Sequence, residues 1–192
     1  MIACEKKKHI SYHIENVTIR EALEIKDGSY FIYIDSISGA IDSGYVNGQH
    51  SIQIYNDLGD YSFESLGYLL NLSSFKLSFS SYYAVWPGGT SLINFALTGD
   101  TVGYSQMVAL STPFNINDHE NKSYLSWKSV WHYDTLQIRN KLYHDVYEYL
   151  VVYTNGFSFN SFYSPSEGLV KFRMKESSVE KIWELEKSEI LR

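Results

Sequence analysis

Val146-Tyr147-Glu148-Tyr149-Leu150-Val151-Val152-Tyr153-Thr154-Asn155-Gly156-Phe157-Ser158-Phe159-Asn160-Ser161-Phe162-Tyr163 is the stretch that decides the fold. Tyr147, Tyr149, Val151 and Tyr153 make an aromatic row on one face of an extended chain, and Val146, Glu148, Leu150 and Val152 line the other. Both faces therefore read as covered, which places this strand in the interior of a sheet. Phe157, Phe159, Ser161 and Tyr163 repeat the alternation more weakly. Between the two runs, Thr154-Asn155-Gly156 supplies residues tolerant of positive φ, as a tight hairpin requires.

Working outward, Phe75, Leu77, Phe79, Ser81 and Tyr83 alternate against Lys76, Ser78, Ser80 and Tyr82. Val102, Tyr104, Gln106, Val108 and Leu110 do so against Gly103, Ser105, Met107 and Ala109. Asn47-Gly48, Asp57-Leu58-Gly59-Asp60, Pro87-Gly88-Gly89, Gly99-Asp100 and Ser164-Pro165-Ser166-Glu167-Gly168 punctuate the chain as turns. This spacing predicts roughly ten to twelve short strands. Helix signals are thin. Residues 15–24 form one short candidate, and Ser177-Ser178-Val179-Glu180 resembles a cap ahead of Lys181 to Glu189, although that segment alternates equally well as a terminal strand.

The chain has 192 residues with 17 Tyr, 10 Phe and 26 Ser, a mixture that favours strands. Its length supports one buried core without staples. The expectation is an all-β domain: a mostly antiparallel, strongly curved sheet, closed as a barrel or packed as a sandwich, with at most one or two short helices. Residues 1–11 form a tether and 12–192 a single β-rich domain. Leu77 to Asn117 carries one charge, Asp100, and is expected to be the most deeply covered part of the sheet, with Thr112 to Asn121 as an exposed polar loop. Net charge is -6, so nothing draws nucleic-acid phosphates.

Cys4 is the single cysteine, in Met1-Ile2-Ala3-Cys4 ahead of Glu5-Lys6-Lys7-Lys8. A small residue before Cys resembles the end of a lipoprotein signal peptide. A secretory leader needs an apolar stretch of about 7–15 residues, and three residues precede Cys4, so the expectation is a leader lost upstream by a late start or by trimming. An acyl anchor on Cys4 would tether the domain, with Lys6 to Lys8 against anionic head groups. The alternative is a free thiol on a cytoplasmic tail. No stretch approaches the ~18 continuous apolar residues of a membrane-spanning helix.

Gly28-Ser29-Tyr30-Phe31-Ile32-Tyr33-Ile34-Asp35-Ser36, with Gly39 and Asp42-Ser43, resembles a strand that follows the anchor in Bacteroidetes cell-envelope lipoproteins, where Trp is usual at the position of Phe31. The resemblance resumes at Tyr133-Asp134-Thr135-Leu136 through Tyr143 and Val146-Tyr147. It closes at Tyr163, Gly168-Leu169-Val170-Lys171-Phe172 and Trp183-Glu184-Leu185, leaving 60–120 unmatched. It implies an envelope address and transfers no catalytic residue.

Chemistry is sparse. His9 and His13, four apart, would share a helical face but lack a third metal ligand. His132 and Asp134 share a face of an extended strand, as a base and its orienting carboxylate would, and His144 adjoins Asp145. Asn115, Asn117, Asp118 and Glu120 concentrate oxygen atoms without EF-hand spacing. Nucleophile elbows and phosphate loops are missing. Neither a metal nor a cofactor is expected. Trp86 beside its Pro-Gly-Gly turn, and Trp127 with Trp131 at equal strand parity, are the ligand-binding candidates, as stacking platforms for sugar rings if exposed; core packing is the plainer explanation. The leading expectation is a non-enzymatic, lipid-anchored protein of the cell envelope that binds a protein or glycan or serves a structural role. A barrel-like carrier of an apolar molecule is the alternative, and a hydrolase using a His/Asp pair the third.

Overall fold

Period-two segments joined by tight turns produce a sheet, and their order in it follows from where each edge finds a neighbour. The computed structural model describes residues 9–14, 17–55, 61–72, 77–84, 92–99, 108–111, 120–122, 126–154, 156–176 and 178–192. The strands are β1 (Ile10–Tyr12), β2 (Tyr30–Asp35), β3 (Ile41–Tyr55), β4 (Tyr61–Leu72), β5 (Leu77–Ala84), β6 (Leu92–Gly99) and β7 (Val108–Ser111). They continue with β8 (Glu120–Lys122), β9 (Ser126–Ile138), β10 (Lys141–Tyr153), β11 (Ser158–Ser164), β12 (Gly168–Glu176) and β13 (Val179–Glu189). One helix, α1, spans Val17–Leu23.

All thirteen strands belong to one sheet, ordered β7-β6-β5-β4-β3-β2-β13-β12-β11-β10-β9-β8, with β1 beside β4. Every neighbouring pair along that order is antiparallel and consecutive in the chain except β13 and β2. These two are joined from Trp183 opposite Asp35 to Glu189 opposite Tyr30. The sheet is thus a meander whose first full strand and last strand are stitched together in its middle. Among the described residues, β7 and β8 are its edges and the sheet is not closed. β1 runs parallel to β4, from Ile10 opposite Tyr61 to Tyr12 opposite Phe63, on the stretch that β5 does not reach. Two residues of the expected tether, Ile10 and Ser11, therefore belong to the sheet.

The core lies on one face of the sheet around the seam. Phe31 and Tyr33 of β2, Phe172 of β12 and Trp183 of β13 are buried. Phe172 sits directly opposite Trp183, their rings stacked with centroids 6.2 Å apart, and Tyr33 meets the Phe172 edge at 5.4 Å. Each fully buried aromatic of this kind contributes about 2–3 kcal/mol. Tyr33 Oη donates to the Leu169 carbonyl at 2.7 Å, tying β2 to β12 across the strand between them. Helix α1 is too short to be stable alone. It is held because Ala22, Leu23 and Ile25 are buried, Tyr163 Oη donates to the Ala22 carbonyl and Arg192 Nε to that of Glu21.

The hairpin read at Thr154-Asn155-Gly156 is present: Tyr153 N–H donates to Phe157 O, Gly156 N–H to Tyr153 O, and Gly156 has φ +85°. Residues 15–24 contain the one helix among the described residues. The terminal segment is strand, because β13 has ladder partners on both edges, β12 and β2, whereas its helical alternative offered a single cap.

Asn47-Gly48 is not a turn: both residues lie inside β3, which pairs with β4 without a break from Gly44 to Tyr55. The glycine serves a crossing of chains instead. A Cβ on Gly48 would meet the Ile25 carbonyl oxygen at 2.7 Å, and its N–H donates to Asp27 Oδ1 at 2.6 Å. Asp27 thereby caps the edge of β3 beyond the end of β2. The loop expected at Thr112 to Asn121 is shortened, since Glu120 and Asn121 pair with Ser129 and Lys128 in β8. The side chains between Leu77 and Asn117 lie outside the described residues, and the burial shown here centres on strands near the two chain ends.

Replacing Gly48 with Ala should cost about 2 kcal/mol, the scale of a forced overpacking against backbone. Urea unfolding of Gly48→Ala against the parent checks this; an unchanged midpoint would mean that the Ile25 crossing is looser than it is described.

Candidate functional site

On the core face, the best-defined polar pair is committed to structure. Glu64 of β4, 4% exposed as a residue, receives Arg20 Nη2 at 2.9 Å on both carboxylate oxygens and the Ile14 N–H at 3.0 Å. This pair fastens the segment leading into α1 onto β4. Glu64 is buried while the Arg20 side chain is 36% exposed, so solvent screens part of the attraction, and the pair is a clamp rather than a site. Burial pushes the phenols of Tyr33, Tyr68 and Tyr149 well above the ordinary tyrosine value. They stay protonated and so are not nucleophiles, and Tyr33 Oη donates to the Leu169 carbonyl. A surface groove of about 480 Å³ runs where the 23–27 segment crosses β3 and β4, lined by Leu23, Ile25 and Leu66 with Glu24, Lys26 and Asp27.

The face opposite the core carries a different arrangement. Register aligns Trp131 (β9) with Glu148 (β10), Glu148 with Phe162 (β11), Phe162 with Lys171 (β12) and Lys171 with Glu184 (β13). Glu148 is held from both sides: Tyr133 Oη donates to Oε2 at 2.5 Å and Asn160 Nδ2 to Oε1 at 2.7 Å. The bond to Glu148 and burial push the Tyr133 phenol up to about 12. Lys171 Nζ lies over the Phe162 ring at 5.7 Å and 2.8 Å from Glu184 Oε1. Beside this row Trp131 stands 39% exposed. A carboxylate, an amide and an ammonium on adjacent strands are hydrogen-bonded in place near an indole, an arrangement suited to binding.

The sequence candidates are distributed as follows. Trp131 is on this face. Trp127 occupies the same-parity backbone position of β9, opposite Val152, and its side chain is outside the described residues. Cys4, Trp86, Asn115, Asn117 and Asp118 also lie outside them. His9 and His13 do not share a helical face, because the chain there is extended against β4: His9 Nε2 lies 3.2 Å from Ser62 Oγ and His13 Nδ1 3.8 Å from Glu64 Oε2. Among the described residues, no three His, Cys, Asp or Glu side chains converge to hold a metal ion.

His132 and Asp134 do come together, with Nδ1 3.9 Å from Oδ1, and β10 adds Asp145, whose Oδ1 is 3.5 Å from His132 Nε2. The imidazole therefore sits between two carboxylates and against the Tyr147 ring, centroids 4.7 Å apart. Asp145 takes a left-handed φ of +51°, uncommon for a residue other than glycine. It faces His132 across the hairpin, not its neighbour His144, whose carbonyl accepts from Ser164 Oγ. Sequence reading missed Glu148, Asn160 and Lys171. Their one signal was outward parity on alternating strands, which ordinary surface residues share.

A third polar centre closes the β2–β3 turn. Asp35 accepts from Ser38 Oγ at 2.6 Å and from the N–H groups of Ile37 and Ile182 at 3.2 Å each. Burial by itself raises this carboxyl's pKa, but these hydrogen bonds together outweigh burial and hold it below the usual carboxylate range. A depressed folded pKa gives stability that is present above the unfolded value of about 3.9 and lost as pH falls through the folded one. Asp35→Asn should therefore lower stability at neutral pH and flatten its decline on acidification below pH 4. Thermal unfolding across pH 2 to 7 measures this, and parallel curves for the two proteins would contradict it. Compared with known proteins, the chain matches no family model, no curated protein and no solved structure.

Proposed function

We propose that this chain is a lipid-anchored cell-envelope domain, tethered through Cys4, with a binding or structural role and no chemistry of its own. The observation that carries the binding role is the row of Glu148, Phe162 and Lys171 opposite the core, with Asn160 bonded to Glu148 and the exposed Trp131 at its end. Its groups are held in place before any ligand arrives, which reduces the ordering cost of association. The interior, by contrast, is filled by Phe31, Tyr33, Tyr68, Tyr163, Phe172 and the residues of α1.

The envelope address rests on Ala3-Cys4 and the resemblance of the Gly28–Ser36 strand to that of envelope lipoproteins. Five residues separate Cys4 from β1, a reach of about 20 Å when extended. An acyl group on Cys4 would hold the sheet close to the bilayer, with the β3–β4 end nearest, since Ile10 lies opposite Tyr61.

Mass spectrometry of the protein expressed from its own gene with its natural upstream sequence tests the anchor. Diacylated or triacylated Cys4, membrane fractionation and release by Cys4→Ser are expected. An unmodified thiol on a protein in the cytoplasmic fraction would overturn the address. The carrier reading has the groove at Leu23, Ile25 and Leu66 in its favour. Nile red separates the two readings: no fluorescence gain is expected, and saturable binding lost in Leu66→Asp would favour the carrier.

A further inference from the structure

Strand β9 is paired unequally on its two sides. Along one edge it meets β10 from Ser126 opposite Tyr153 to Ile138 opposite Lys141. On the other edge the three-residue β8 covers Trp127 to Ser129 and stops. Among the described residues, no strand lies along the second edge of His132–Ile138, and no backbone hydrogen bond outside the ladders engages it. This edge is about 23 Å long at the rise of a strand. Half of its N–H and C=O groups point outward, away from β10.

Exposed edges are templates for another strand, and proteins restrict them with charge. Here the charge is negative and concentrated. Asp134, whose side chain is 98% exposed, lies on the edge strand, and Asp145, at 70%, stands behind it. No proline interrupts the edge, and Tyr133, Thr135 and Ile138 favour extension. Pairing with a second copy about Thr135 would set two Asp134 carboxylates about 7–8 Å apart as diagonal neighbours. Each chain would also bring a net charge of -6. The same charges that discourage self-pairing select a strand of opposite sign.

We propose that the His132–Ile138 edge of β9 is a strand-addition site for a basic extended segment of a protein partner, with Lys or Arg of the segment opposite Asp134. Main-chain hydrogen bonds to the edge supply affinity and the carboxylates supply selection. The proposal names a partner class for the binding role above and rests on that reading. The two fail separately, because acylation of Cys4 reports the address and peptide titration reports the edge.

The experiment titrates the full-length, nitrogen-15-labelled protein with two soluble peptides, Lys-Thr-Val-Thr-Lys-Thr-Val-Thr and its counterpart with Glu for Lys. Hydrogen exchange and amide shifts are followed residue by residue. The basic peptide should slow exchange at alternate amides within His132–Ile138 and bind roughly fivefold more tightly than the acidic one, the scale of one or two cross-strand charge pairs. Added salt should reduce that preference. Asp134→Lys, a fully solvent-facing change, should reverse it while leaving the thermal midpoint in place. Equal binding of both peptides, no binding, or protection at another strand would overturn the proposal. So would a cello- or chito-oligosaccharide that shifts Trp131 and Glu148 while neither peptide moves β9, the outcome expected of a glycan-binding face.

Discussion

The antiparallel seam between β2 and β13 is the constraint on which the rest of the structure depends. Without it the chain would be two separate meanders, β2 to β7 and β8 to β13, each with a bare edge. With it, the aromatic side chains of both halves meet: Phe31 and Tyr33 come from the first, Phe172 and Trp183 from the second. The seam also positions the C-terminus. Leu191 N–H donates to Ser29 Oγ and Lys26 N–H to the Leu191 carbonyl, so the last residues brace the segment that follows α1.

Local structure was legible in the sequence, and long-range partnership was not. The hairpin at Thr154-Asn155-Gly156 is set by residues within a few positions of one another, and alternation plus turn chemistry revealed it. The β2–β13 seam joins residues about 150 positions apart, and a period of two records which face a side chain takes without recording the neighbour. Asn47-Gly48 shows the cost of local reading. Its glycine answers to Ile25, twenty-three positions earlier, and to no turn at all. The terminal segment was ambiguous for the same reason, since two flanking strands decide it.

The candidate sites divide along that line too. His132 and Asp134, two apart, were readable as a pair on one face, but Asp145 joins them through the β9–β10 register and its own left-handed backbone. Trp131 was readable as a strand aromatic; its exposure depends on which side of the sheet the core occupies. Glu148 gains its meaning from Tyr133 and Asn160 on the strands to either side. Charge followed the same logic at Arg20 and Glu64, forty-four positions apart, where the buried Glu64 carboxylate fastens α1 to the sheet.

What emerges is a domain with one face occupied by its own aromatic side chains and helix, and with a polar row on the opposite face and the β9 edge. That division depends on the seam holding both halves as one cooperative unit. Native-state hydrogen exchange tests it most directly. The amides of Tyr30–Asp35 and Val179–Glu189 are expected to exchange together, at the slowest rate in the molecule and only through global unfolding. Exchange of these two strands through a local opening, while β10 and β11 remain protected, would contradict it.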